Sequence, residues 1–238
     1  MLTRTLRLAA LATILLSAST PAVYAAFTDA FNYPDGDLQS VGSPPWQLTS
    51  VDSAASVTTV VNGVVRIDSG GADRPPGGQN RDLSVAVSET GLVTAQLDFK
   101  RGGAGSSGNM YSIEFNDAAG LNLARWYGKQ DSYRPRIDGT VLTEVFLADD
   151  EWHTLTAVID TVARTTTYYA DNVLQGSLNH SGATGSTVAQ ILIRATTNIS
   201  FDPEEQVFID NISLVPEPAS LAALLVGGCL LVRRKSRG

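Results

Sequence analysis

One cysteine and two histidines are all the thiol and imidazole chemistry that 238 residues carry. The cysteine, Cys229, lies in an apolar stretch near the C-terminus. The long central segment therefore has no thiol and no disulfide, and burial of apolar side chains must hold it together. His153 and His180 are too few for a zinc or iron cluster. No G-x-S-x-G elbow surrounds any serine, which removes the usual hydrolytic triads. Gly103, Gly105 and Gly108 do match G-x-G-x-x-G, but a strand pattern follows them rather than a helix. The mechanics of phosphate binding are missing there, and the segment reads as a loop.

Lysine is also scarce, with only Lys100, Lys129 and Lys235, whereas Gly, Thr, Val, Ser, Asp and Asn are plentiful. That balance favours strands joined by tight turns over packed helices. The formal charge is −7, yet six of the 17 basic residues, Arg4, Arg7, Arg233, Arg234, Lys235 and Arg237, sit in the two end segments. Without those segments 11 basic residues face 24 acidic ones, a charge of −13. A body of that sign repels nucleic acid and anionic lipid, so no nucleic-acid partner is expected.

The N-terminus has the three parts of a secretory signal over residues 1–25. Arg4 and Arg7 make a basic start, Leu8 to Leu16 an apolar run, and Val23-Tyr24-Ala25 a small-residue cleavage site that leaves Ala26 as the first mature residue. The run is shorter than the roughly 20 residues a membrane span needs. At the other end, Val215-Pro216-Glu217-Pro218-Ala219-Ser220 precedes an apolar helix over 221–232 and then Arg233, Arg234 and Lys235. Two prolines remove two backbone donors and stop a strand from running into that helix. The basic residues after it stay cytoplasmic by the positive-inside rule, so the body faces outward. The order and spacing of Pro216, Glu217, Pro218, the apolar run and the basic end resemble the PEP-CTERM sorting signal of Gram-negative bacteria. The resemblance covers only the last two dozen residues. It implies the export machinery and an exosortase-like membrane protease as partners, with transient anchoring in the inner membrane through the tail alone and then release to the cell surface or matrix.

Between the ends, over 26–214, hydrophobicity alternates with a period near two. Val93–Lys100, Tyr111–Asn116 and Trp152–Asp160 read as strands with one wet face, as do Thr165–Ala170 and Val188–Thr196. Val57–Val61 and Val64–Asp68 flank Asn62-Gly63, the dipeptide suited to a type I′ hairpin turn. Asp117 to Gly120 supplies another turn before Leu121-Asn122-Leu123. Further strands are expected at Leu83–Val87, Arg134–Asp138, Val141–Leu147, Val173–Leu178 and Gln206–Leu214. A dozen such strands predict an all-β, antiparallel two-sheet sandwich or jelly roll. Asp29-Ala30-Phe31-Asn32-Tyr33-Pro34-Asp35-Gly36, Trp152-His153-Thr154-Leu155 and Phe208-Ile209-Asp210-Asn211-Ile212 together resemble concanavalin A-like and laminin-G-like sandwiches.

A glucanase of that fold needs an acid and a nucleophile about 5 Å apart. The best strand offers Glu114 between Ser112 and Asn116, and this reads as a lone, solvated carboxylate. The expected function is a non-catalytic carbohydrate- or matrix-binding module, with a polysaccharide-active glycoside hydrolase and a purely structural matrix component as the competing readings. Sugar rings stack on aromatic faces beside planar polar groups. The densest such segment runs from Arg125 to Arg134, and Trp126, Tyr127, Asp131, Tyr133 and Arg134 are its candidate ligand residues. If the strand continues that far, either Trp126 or Tyr127 must turn inward. No cofactor is required. A structural calcium is the one metal the composition leaves room for, at Asp29 and Asp210, by the resemblance to carbohydrate-binding sandwiches that hold one between first and last strands. The apolar phase slips between Ile209 and Ile212, which predicts a bulge at Asp210-Asn211.

Overall fold

The structure is a computed structural model that describes residues 27–43, 46–51, 57–68, 79–102, 110–129, 132–137, 139–148, 150–181, 184–197 and 206–217. The signal segment with Ala25 and Ala26, the Gly103–Gly108 loop, Asp131, Pro218, the apolar run 221–232 and Arg233, Arg234 and Lys235 lie outside the described residues. Among the described residues no helix is long and apolar enough to cross a membrane.

Residues 25–217 form a compact unit of two antiparallel sheets. In the first sheet the order is Val173–Asn179 (β15), Thr165–Ala170 (β14), Trp152–Asp160 (β13), Leu92–Gly102 (β7), Gln206–Pro216 (β17), Val64–Asp68 (β5), Val57–Val61 (β4) and Gly36–Asp37 (β2), with Phe27–Asp29 (β1) also paired to β17. The second sheet runs Thr140–Val141 (β11), Ser132–Ile137 (β10), Asn122–Lys129 (β9), Met110–Asn116 (β8), Thr187–Thr197 (β16), Gln79–Thr90 (β6) and Gln47–Val51 (β3), with Val145–Phe146 (β12) also on β10. One helical turn, Leu38–Val41 (α1), is capped by the Asp37 carboxylate, which accepts from the Gln39 N–H.

The two-sheet sandwich is therefore as the alternation predicts, because each strand gives one apolar row to a shared core. Val93, Ala95, Leu97 and Phe99 of β7 are all buried, as are Leu155, Ala157 and Ile159 of β13. Aromatic side chains join the layers: Tyr168 meets the edge of Trp126 at 5.2 Å and 89°, and Phe99 packs on Tyr111 at 5.3 Å and on Tyr133 at 4.4 Å. The Asn62-Gly63 hairpin forms with both residues at positive φ. The expected bulge is present too. The β17 register shifts between Asp210 and Ser213, Asn211 takes φ 50°, and Ile209 and Ile212 both stay fully buried.

One expected strand is corrected. Val141–Leu147 is not continuous but forms two dipeptides, β11 and β12, on opposite ends of β10. The cause is Pro135 in the middle of β10. Its carbonyl accepts from the Leu142 N–H, but it has no N–H to return, so the ladder breaks there.

Candidate functional site

The outward face of the second sheet is polar in a way that strand alternation alone does not demand. On β8 the inward residues are Tyr111, Ile113 and Phe115, which leaves Ser112, Glu114 and Asn116 on the outer side. Glu114 faces Leu192 of β16 and Arg125 of β9 in register, and Arg194 of β16 faces Ser112 on one side and Asp82 of β6 on the other. Sheet geometry thus brings two carboxylates and two guanidiniums together from four adjacent strands. With Thr49, Asn116, Gly120, Asn122, Gln190 and Leu192 they line a shallow open recess of about 280 Å³.

Glu114 is not the solvated residue expected from sequence: it is only 2% exposed. Its Oε1 accepts from the Ser112 hydroxyl at 2.7 Å and Arg194 Nη1 at 3.4 Å, with Arg125 Nε 3.1 Å away as an ion pair. Its Oε2 accepts from Asn122 Nδ2 at 3.0 Å and Asn116 Nδ2 at 3.4 Å. A carboxylate can be buried only if its lone pairs are met this completely. Arg194 also grips Asp82 through two parallel bonds of 2.9 and 2.8 Å, the fork geometry that guanidinium and carboxylate share. The Asp82 hydrogen bond raises the Arg194 pKa. Burial pushes the Arg125 guanidinium down, and although Glu114 opposes that shift, Arg194 and Arg136 reinforce it.

The aromatic segment is divided by the pleat. Trp126 and Tyr133, expected as ligand contacts, point into the core at 0% and 2% exposure, because Trp126 lies on the inward phase of β9, which continues to Lys129, and Tyr133 on the inward phase of β10. Gly128 makes the room: a Cβ there would sit 2.0 Å from the Tyr111 ring. Tyr127 and Arg134 stay on the outer face. The Arg125 and Arg136 guanidiniums lie 5.0 and 5.7 Å from the centre of the Tyr127 ring, and Arg134 pairs with Glu144. Asp82, Arg125 and Arg194 are the site residues that sequence reasoning did not single out. The available signal was Arg194 itself, a charge in phase with Gln190 and Leu192 within an otherwise apolar strand.

Asp29 and Asp210 occupy a different place, at the join of first and last strands. Asp29 is 5% exposed and its carboxylate accepts from the Phe31 N–H at 2.8 Å, Trp46 Nε1 at 3.0 Å and the Tyr33 hydroxyl at 2.8 Å. Burial and that contact push the Tyr33 phenol up to about 12. Asp98 lies near, its oxygens taken by the Thr154 hydroxyl and Asn211 Nδ2. The Asp29 oxygens face hydrogen donors, and among the described residues no group of three His, Cys, Asp or Glu side chains is placed to hold a metal ion. His153 is a structural residue, with Nδ1 2.7 Å from Asp171 and Nε2 3.1 Å from the Ala148 carbonyl.

No protein-family model and no curated protein matches the chain. Solved structures do. The likeness shows the fold. The carbohydrate recognition domain of Emp47p superposes with a TM-score of 0.55 at 11% identity, covering 85% of this chain and 100% of that one. An endo-1,3-beta-glucanase from Streptomyces sioyaensis gives 0.56 at 11% identity, again over 85% and 100%. A sialidase gives 0.57 at 14% identity over 79% of this chain, which spans only 19% of the sialidase's length.

Proposed function

We propose that this is an exported surface or matrix protein whose sandwich binds carbohydrate through the outer face of the second sheet without cleaving it. The observation that carries the reading is the environment of Glu114. A glycosidase acid must hold and release a proton, and a nucleophile must have a free lone pair aimed at the sugar. Glu114 instead has both oxygens occupied by protein donors, and Asp82 is held in a two-bond fork by Arg194. Such a face offers fixed amides and guanidiniums to hydroxyl groups, which suits recognition. The likeness to a carbohydrate recognition domain and to a glucanase supports a carbohydrate ligand in either case.

The test is a panel of polysaccharides incubated with the exported protein, with bound fraction and new reducing ends both measured. Binding without new reducing ends is expected. Reducing ends that accumulate and vanish in Glu114→Gln would make the protein a hydrolase.

Export and sorting belong to the same proposal and rest on the two end segments of the sequence. Intact mass and location, compared in hosts with and without an exosortase-like protease, test it. A product ending near Pro218 and found outside the cell only with the protease is expected. An uncut membrane-bound product in both hosts would make the tail a permanent anchor.

A further inference from the structure

We propose that the glycan taken by this face is anionic, with the planar carboxylate of a uronic acid as the group recognised by Arg125 and Arg136. The proposal rests on the binding reading above and names its ligand class. Neutral sugars are held largely by stacking on open aromatic rings. Of the aromatic residues in this segment, Trp126 and Tyr133 are buried in the core, and the Tyr127 ring is faced by two guanidiniums. In this segment the one outward ring is thus covered by cations, and the other exposed ring of the sheet, Phe146 of β12, lies at the sheet's edge beyond β10.

The charges around the recess point the same way. Arg194 is matched by Asp82 and Glu114, and Arg134 by Glu144. Arg125 shares Glu114 with Arg194. Arg136 forms no ion pair with a carboxylate among the described residues. Among the described residues of this face four guanidiniums thus meet three carboxylates, within a body of charge −13, and burial, reinforced by repulsion from Arg194 and Arg136 against the pull of Glu114, disfavours the Arg125 charge. An incoming carboxylate relieves that repulsion and matches the guanidinium fork, which an ammonium does less well. Arg136 on β10, Arg125 on β9 and Arg194 on β16 cross the sheet over roughly 14 Å at the ordinary strand spacing, a length that suits a polymer rather than one free anion. The acidic body opposes a polyanion at long range, but at about 0.1 M salt that field is screened beyond about 10 Å, so the contact itself decides.

The exported protein is titrated with alginate as a uronate polymer, with a neutral β-glucan of similar length and with dextran sulfate. Alginate is expected to bind at least about tenfold tighter than the neutral glucan and to weaken severalfold between 0.1 and 1 M salt. Arg136→Gln should weaken alginate about tenfold and the neutral glucan by far less, about twofold at most, and Arg136→Lys should restore only part of the alginate binding. The salt titration of the unaltered protein stands even if a variant folds poorly. Equal binding of the neutral glucan overturns the anionic assignment while leaving the binding reading in place. Dextran sulfate bound without alginate overturns the carboxylate. Failure to bind any glycan overturns both.

Discussion

Glu114 and Asp29 are both carboxylates buried in an apolar sandwich, both surrounded by donors, and they serve opposite ends. Asp29 takes two donors from its own neighbourhood in the chain, Phe31 and Tyr33, and a third from Trp46, 17 positions on, and so fixes how the first strand leaves the sheet. Glu114 takes its strongest partners from other strands, Arg125 and Arg194, and those partners reach the recess with part of their surface still wet. A carboxylate that only folds the chain is enclosed by neutral N–H and O–H groups, as Asp29 is by Phe31, Trp46 and Tyr33. One that builds a surface holds cations whose remaining donors point outward.

The comparison breaks if removing either group has the same consequences. Asp29→Ala orphans two buried donors, the Phe31 N–H and Trp46 Nε1, each costing about 1–3 kcal/mol. Urea unfolding should show a loss of about 3 kcal/mol or more, with glycan affinity of the remaining folded protein unchanged. Glu114→Gln keeps the shape but removes the charge that Arg125 and Arg194 share, so Arg125 loses its carboxylate partner while Arg194 keeps Asp82. Because Arg194 is about a third exposed, the loss should fall below the 3–5 kcal/mol of a fully buried pair, at about 2 kcal/mol. Here glycan affinity should fall as well, because the guanidiniums lose their alignment. A variant that loses stability and keeps affinity would reduce Glu114 to a second Asp29.

The sandwich was legible in the sequence because alternation is a local signal. β13 and β14 have the bounds their pattern predicts, and the Ile209 to Ile212 slip located the bulge. The Glu114 site was not legible, because its partners are 11 and 80 positions away in the chain, at Arg125 and Arg194, and only the pairing of β8 with β9 and β16 brings them together. Trp126 was ambiguous for a related reason: its direction depends on how far β9 runs, and that is fixed by pairing with β8 and by the space over Gly128. The break at Pro135 could have been read from the missing N–H, but only by knowing which edge of β10 the proline faced.

A third buried carboxylate, Asp117, extends the folding side of the comparison. Burial raises its pKa, but backbone N–H groups of Gly185, Leu121, Ala119 and Gly120 outweigh that and leave it lower than 3.8. The unfolded chain then binds more protons in the acid range, so stability rises with pH there. Stability is present above about pH 4 and is lost as pH falls through the folded pKa. Asp117→Asn should cost about 1–2 kcal/mol at pH 7, and the gap from the parent should narrow below pH 4. A gap constant from pH 7 to pH 3 would show that the backbone bonds do not depend on the charge.

The smallest effect belongs to Asp210, whose pKa is raised by burial and by Asp98 and Asp29 beyond the relief from the Asn211 N–H. The sign is opposite to that of Asp117. The folded state binds the extra proton, so stability falls as pH rises from 3.8 through the folded value, and the charged form is a liability at neutral pH. Asp210→Asn should therefore raise the melting temperature at pH 7, by about 1–2 °C given the partial exposure of the group, and the gain should vanish near pH 3. Millimolar calcium should move neither protein by more than about a degree. If calcium instead raised the parent's melting temperature by several degrees and Asp210→Asn abolished the gain, the join of first and last strands would be a cation site. Asp29 would then no longer be a purely internal acceptor.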